Sequence, residues 1–276
     1  MMFQGKKIFN ASFDAYAGDY HEVRPGYPAR VFEDIKEKCE IHKDSRLLEI
    51  GAGSGIATVE LARFGCSVTA IEPGSNLAKI ARKQTAGYNN VKIIEGTFED
   101  FRPAEKFDAV LAFTAFHWIN GTDKYQQVVE PLKDSGSLVL VWNSFFQDNS
   151  LVTDEVNLVY QKLLPETYGA DSNTDNINRN VLSKLNLREQ EVCRNDSLYT
   201  VFLNKYLTRY SYDDRTYRML LNTFPKIVEI EDVKRQEFLT QVSEVIKRHG
   251  TISVPVLTTV IACKIRDKFL LAMSKD

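Results

Sequence analysis

The chain is short of paired cysteine, of long apolar runs and of net charge, and each shortage removes a class of protein. Its four cysteines, Cys39, Cys66, Cys193 and Cys263, stand far apart, so no disulfide framework staples a small secreted fold. Cys66 and Cys263 fall in apolar strand-like runs, where a free thiol acts as a small core residue. The four histidines, His21, His42, His117 and His249, are equally scattered and offer no clustered ligands, so no metal is expected. No apolar run reaches the length of a membrane span, and Met1-Met2-Phe3-Gln4-Gly5-Lys6-Lys7 lacks the apolar core of a signal peptide. A net charge of −2 rules out bulk positive charge as the means of holding nucleic acid. There is no internal repeat and no low-complexity tract. The expectation is a soluble, cytoplasmic protein with no nucleic-acid or membrane partner and with its oligomeric state left open.

What is present is an ordinary globular balance: 276 residues, 43% of them hydrophobic, enough for one large domain or a domain with an inserted cap. Helix spacing over 29–40, strand 46–50, helix 56–64 and strand 67–71 open the pattern. Ser75 is placed to cap a helix carrying Leu77, Ile80 and Ala81. Strands over 91–94, 109–113 and 137–142 follow, the last two separated by a helix over 123–132. Near-continuous apolar strands such as Val139-Leu140-Val141-Trp142, alternating with helices, predict βαβ units and a parallel sheet covered on both faces. Beyond Asn143 the alternation stops. A helix over 149–164, a polar Asn-rich mobile loop over 171–180, strand six over 197–208, helices over 213–222 and 231–249 and strand seven over 256–265 are expected. The fold class is α/β, a seven-stranded, doubly wound, Rossmann-like sheet with a helical cap inserted near the C-terminus. Within one domain, 1–45 is expected to close over a cofactor, 46–145 to bind it, 146–250 to form the cap with strand six, and 251–276 to supply the last strand.

The most specific stretch is Leu47-Leu48-Glu49-Ile50-Gly51-Ala52-Gly53-Ser54-Gly55, with Glu72 at the end of the next strand. Glycine tolerates positive φ and carries no Cβ to block a ligand approaching the backbone. The dinucleotide fingerprint reads G-x-G-x-x-G, and its last glycine permits close helix–strand packing. Here Ile56 stands at that place, and the register is G-x-G-x-G, which weakens a dinucleotide reading. A carboxylate at Glu72 is suited to accept from two ribose hydroxyls.

These residues resemble the first two motifs of the class I S-adenosylmethionine-dependent methyltransferases. Gly96-Thr97-Phe98-Glu99-Asp100 resembles the adenine-side loop of that family, and Phe107-Asp108-Ala109-Val110 the entry to its fourth strand. Phe113-Thr114-Ala115-Phe116-His117-Trp118 resembles the segment beyond, in the branch that includes trans-aconitate methyltransferases. Tyr16, Tyr20, Arg24-Pro25 and Tyr27-Pro28 resemble that branch's N-terminal segment. The resemblance covers 13–142 and is only architectural afterwards. It implies S-adenosyl-L-methionine as cofactor and a small-molecule methyl acceptor as partner, with a carboxylate, hydroxyl, amine or thiol as acceptor group. It departs from the family at Thr97, where many relatives carry Asp against the adenine amino group; Glu99 is the substitute acceptor.

For such a ligand the turn must receive a methionine ammonium and carboxylate rather than a phosphate. Gly51 offers a carbonyl to the ammonium, Glu49 adds negative charge, and Arg24 or Tyr20 is placed to clamp the carboxylate. Gly53, Gly55, Glu72, Pro73, Thr97, Phe98, Glu99 and Phe113 complete the expected cofactor contacts. His117 is the candidate general base, its alternative role being a hydrogen-bonded pocket wall. Phe116, Trp118 and Tyr16 are assigned to the substrate pocket, where an aromatic face attracts a sulfonium by about 0.5–2 kcal/mol. Arg209, Arg215 and Arg218 are candidates for an anionic substrate, with a solvated face as the alternative. The rival functions are a Rossmann-type NAD(P)-dependent oxidoreductase and a non-catalytic S-adenosylmethionine-binding protein.

Overall fold

The computed structural model describes residues 14–119, 121, 123–169 and 173–266. In chain order the elements are α1 (Ala17–Val23), α2 (Ala29–Lys38), β1 (Arg46–Ile50), α3 (Ile56–Ala62), β2 (Ser67–Glu72), α4 (Ser75–Gln84), β3 (Val91–Glu95) and β4 (Phe107–Phe113). A 3-10 turn (Phe116–Trp118), α5 (Lys124–Val129), β5 (Leu132–Phe145), α6 (Leu151–Leu163), α7 (Pro165–Tyr168) and α8 (Thr174–Cys193) follow. The chain then forms β6 (Leu198–Tyr212), α9 (Asp214–Leu221), α10 (Pro225–Val228), α11 (Asp232–His249) and β7 (Ile252–Ile265). The strands make one seven-stranded sheet in the order β3-β2-β1-β4-β5-β7-β6, and β3 through β5 pair in parallel. The α/β fold expected from the sequence is therefore the one observed. None of the described helices is long and apolar enough to cross a membrane.

Two compact units share this chain, each built from separated stretches. The sheet unit comprises Gly26–Asn143, Leu187–Tyr206 and Thr258–Asp276. Successive strand side chains point to opposite faces, and here both faces are apolar. Leu48, Ile50, Val110, Ala112, Leu138 and Leu140 join one buried cluster. Leu47, Ala109, Leu111, Phe113, Val139 and Val141 join another with Val31, Phe32 and Ile35 of α2. That two-sided burial is why these strands read as continuous apolar runs.

The other unit comprises Met1–Pro25, Ser144–Asn186 and Leu207–Leu257. Val156 and Tyr160 of α6, Leu220 and Leu221 of α9, and Phe238, Val242 and Ile246 of α11 form its core. Asp213 caps α9 with a reciprocal pair of bonds to Thr216, and Glu231 accepts from the Val233 and Lys234 N–H groups at the start of α11. The segments 1–45 and 146–250 named from the sequence run across both units, α1 lying in one and α2 in the other.

Two local expectations fail. The Asn-rich loop expected over 171–180 is helical from Thr174; Asp171 and Ser172 lie outside the described residues. Its polar side chains are used in tertiary bonds: Asn178 accepts the Gln147 N–H at 2.9 Å and donates to the Gln147 carbonyl at 2.9 Å, and Asn157 donates to buried Thr174 at 3.2 Å. Ser75 is not the N-cap of α4; the helix begins at Ser75 itself, and Gly74 holds the cap position without a side-chain cap.

Candidate cofactor site

β1 runs directly into the glycine turn, where Gly51, Gly53 and Gly55 have φ of 70°, 58° and 87°, a region costly for residues with a Cβ. The Gly51 and Ala52 N–H groups both donate to the Ile71 carbonyl at 2.9 Å, so the turn hangs on the end of β2. A Cβ on Gly51 would lie 2.6 Å from Ala115 Cβ, and one on Gly55 3.1 Å from Ala81 Cα on α4. Close helix packing thus falls to Gly55. Ile56, at the place where a dinucleotide fingerprint needs glycine, is only half-buried and is accommodated.

Glu72 closes the turn from the other side. It is 6% exposed; its Oε2 accepts the Gly53 N–H at 2.7 Å and its Oε1 the Gly74 N–H at 2.8 Å. Bonds from N–H to a carboxylate are about twice as strong as neutral ones, and these two join the turns after β1 and β2. Pro73 between them is exposed.

Glu49 is fully buried, and neither carboxyl oxygen has a hydrogen-bond partner among the described residues. Burial pushes it up to about 8; Thr58 opposes the rise and the Glu72 charge adds to it. The Thr58 hydroxyl forms no hydrogen bond of ordinary geometry either, so it is a weak counterweight. Burial therefore favours the protonated form of Glu49.

After β3, the Gly96 N–H donates to the Glu72 carbonyl at 3.0 Å. The Thr97 hydroxyl donates to Asp100 at 2.5 Å. Phe98 packs against the cluster containing Ile71, and the Glu99 carbonyl accepts from Arg102 at 2.7 Å.

Beyond β4 the structure adds residues that sequence reading passed over. Thr114 has φ of 56°, an outlier for a β-branched residue. Its N–H donates to the Val141 carbonyl at 2.7 Å, and its hydroxyl lies 3.2 Å from the Tyr27 hydroxyl and accepts the Asn143 N–H at 3.2 Å. Asn143 in turn donates to the Gly26 carbonyl at 3.0 Å and accepts from Thr258 at 2.6 Å. The legible signal was a polar residue at a strand's carboxyl end. Phe113 stacks on Phe32 at 5.6 Å and meets Tyr27 edge-on at 5.0 Å. Phe116 is 2% exposed and packs on Tyr125 at 4.9 Å. The rings of His117 and Trp118, both half-buried, lie 4.7 Å apart.

Arg24, Tyr20 and Tyr16 belong to the other unit. Arg24 donates to the Thr223 hydroxyl at 2.9 Å and carbonyl at 2.6 Å, with Tyr20, Phe145 and Phe224 around its guanidinium. Arg215 pairs with Glu22 at 2.9 Å, Arg218 donates to Gln236 at 2.5 Å, and Arg209 is exposed.

A sheet in this order, with β3, β2, β1, β4 and β5 parallel and a left-handed glycine turn tied to an acid at the end of β2, is a Rossmann-like core. Residues 48–140 match the family model described as a methyltransferase domain. An uncharacterized methyltransferase of Schizosaccharomyces pombe is 27% identical over 52% of this chain and 56% of its own length. A probable S-adenosylmethionine-dependent methyltransferase of Saccharomyces cerevisiae is 32% identical over 46% of this chain and 45% of its own. The chain spans about half the length of the curated relatives it matches. In fold, it resembles a methyltransferase-family structure from Anaeromyxobacter dehalogenans with a TM-score of 0.58 at 17% identity, covering 87% of this chain and 97% of the other.

Proposed function

We propose that this chain is an S-adenosylmethionine-dependent methyltransferase acting on a small molecule. The observation that carries the reading is the clamp of Glu72 on Gly53 and Gly74, beside three left-handed glycines. The methyltransferase-domain match over 48–140 supports it. In this reading Glu72 takes the two ribose hydroxyls, and the Gly51 carbonyl meets the methionine ammonium. That cation would also draw the proton from Glu49. Thr97, oriented by Asp100, with Phe98 and Glu99, lies along the adenine; Phe113 and Pro73 line the nucleoside.

Methyl transfer is an in-line displacement at a sulfonium carbon, and the thioether leaves neutral. No oxyanion has to be stabilised, so alignment and water exclusion suffice, worth up to about 7–11 kcal/mol in well-oriented cases. A carboxylate acceptor is already ionised and needs no base. For a hydroxyl, amine or thiol, His117 is the group to take the proton, with Phe116 and Trp118 shaping the pocket.

Calorimetric titration with S-adenosylhomocysteine and with NADH tests the cofactor. Binding of the first and not the second is expected; the reverse would overturn the proposal. Incubating the protein with labelled S-adenosylmethionine and a small-molecule extract tests transfer. A labelled small molecule is expected, and tight cofactor binding without any labelled product would leave a non-catalytic binding protein.

A further inference from the structure

Arg188 of the sheet unit is half-buried yet makes no hydrogen bond and no ion pair among the described residues. Its guanidinium stands 5.8 Å from the ring centroid of Trp142. Burial pulls its pKa down, and Glu191 opposes that, but Glu191 is already paired with Lys124 at 2.6 Å. Trp142 is 2% exposed, and its buried indole N–H has no acceptor among the described residues. A cation held over an aromatic face is attracted to it, but that attraction supplies neither a counter-charge nor an acceptor for the indole. Native proteins rarely leave both unmet at one place.

Their position gives the pair a use. β4 and β5 are in register with Phe113 opposite Val141, so Trp142 stands at the carboxyl end of the sheet, level with Thr114. It shares a buried cluster with Ala115 and Phe116, and Ala115 is the residue on which Gly51 closes. Ligands of parallel sheets bind beyond these strand ends. Both groups are donors only, so what they lack is an anion with several acceptor lone pairs. One guanidinium suits a planar monoanion; a phosphate dianion would ask for a second free cation, and Lys124 is engaged.

We propose that Arg188 and Trp142 together receive a carboxylate of the methyl acceptor. The proposal rests on the methyltransferase reading and deepens it. A carboxylate held by a guanidinium and an indole N–H has its lone pairs drawn away and is a poor nucleophile. The acceptor therefore carries a second group that takes the methyl, and Arg188 is a positioning residue.

The chain has two tryptophans, so a Trp118→Phe protein reports Trp142 fluorescence alone. It is titrated with sodium acetate, small enough for any carboxylate site, with benzoate and with inorganic phosphate. Each titration is run at matched ionic strength against chloride, with and without S-adenosylhomocysteine. A saturable response to a carboxylate is expected, with phosphate inert. Adding Arg188→Met should weaken the response about tenfold or more, and Arg188→Lys should keep part of it. Melting curves check that each variant is folded. No saturable carboxylate response, an unchanged midpoint in folded Arg188→Met, or an equal response to phosphate would overturn the proposal. Calorimetry with S-adenosylhomocysteine separates the two readings. Binding unchanged by Arg188→Met keeps the effect local to the acceptor site. Absence of binding in the parent protein would remove the methyltransferase reading, while the fluorescence arm still judges the carboxylate site.

Discussion

Glu72 accepts the Gly53 N–H at 2.7 Å, so the acid at the end of one strand fixes the backbone of the turn at the end of its neighbour. β1 and β2 are parallel neighbours with Ile50 opposite Ile71, which brings the two carboxyl ends together. The glycine turn and the acid are thus one structural device, whose shape depends on the carboxylate.

Replacing Glu72 with Ala should therefore act twice. It removes the acceptor of two backbone donors, and in the proposed function it removes the ribose contact. We expect S-adenosylhomocysteine affinity to fall by at least about tenfold, measured by calorimetry alongside a melting curve. Unchanged affinity in a folded Glu72→Ala protein would rule out the ribose role.

At Gly51 the prediction concerns packing. An added Cβ meets Ala115 Cβ at 2.6 Å with φ at 70°, so Gly51→Ala should cost about 1–3 kcal/mol through overpacking and backbone strain. Ala115→Gly in the same chain removes the clash but not the φ penalty, so part of the loss should return. Urea unfolding of the two single variants and the double measures this. Strict additivity would show that the two residues do not meet.

What could be read in advance, and what could not, follows from where each feature's cause lies. Gly51, Gly53, Gly55 and Glu72 were legible because turn chemistry and strand-end position are local. The helix from Thr174 was not, because Asn178 bonds Gln147 and Thr174 accepts from Asn157, partners distant in sequence. Thr114 stood in a motif at a strand's carboxyl end, but its left-handed backbone was not legible, since its partners Val141, Asn143 and Tyr27 are distant in sequence. Arg188 resembled any surface arginine; that Glu191 pairs with Lys124, and that Arg188 has no hydrogen bond or ion pair among the described residues, shows only in the fold. Buried spacing at Leu185 and Val192, each 2% exposed, was the available sign that its segment is a helix.

Thr114→Val keeps the β-branch and removes the hydroxyl. The Asn143 N–H then loses its acceptor, for an expected cost of about 1–3 kcal/mol. Tyr27→Phe should cost less on its own, and the double variant should cost less than the sum, because both singles break one shared network. Urea unfolding of the cycle tests this; independent effects would mean that the Tyr27 and Thr114 hydroxyls are not coupled.

Glu49 makes stability depend on pH in a direction opposite to most carboxylates. In the unfolded chain an ordinary glutamate ionises near about 4.3, whereas in the fold burial holds Glu49 protonated up to about 8. Below the unfolded value both states carry the proton and its stability contribution is whole. As pH rises the unfolded state ionises first, so that contribution is lost progressively until the folded value is passed. Asp213, lowered by its bonds to Thr216, and Glu231, lowered by backbone N–H groups at the start of α11, run the other way, so the wild-type curve alone is ambiguous. The difference between wild type and Glu49→Gln isolates the residue. Glutamine cannot ionise, so melting temperatures should draw apart from about pH 5 to about pH 8, the wild type losing more. Parallel curves would mean that Glu49 titrates normally. In the proposed function the same proton should leave when a ligand ammonium arrives beside it. Calorimetry of S-adenosylhomocysteine at neutral pH, in two buffers of different ionisation heat, should then report proton release in the wild type and none from this site in Glu49→Gln.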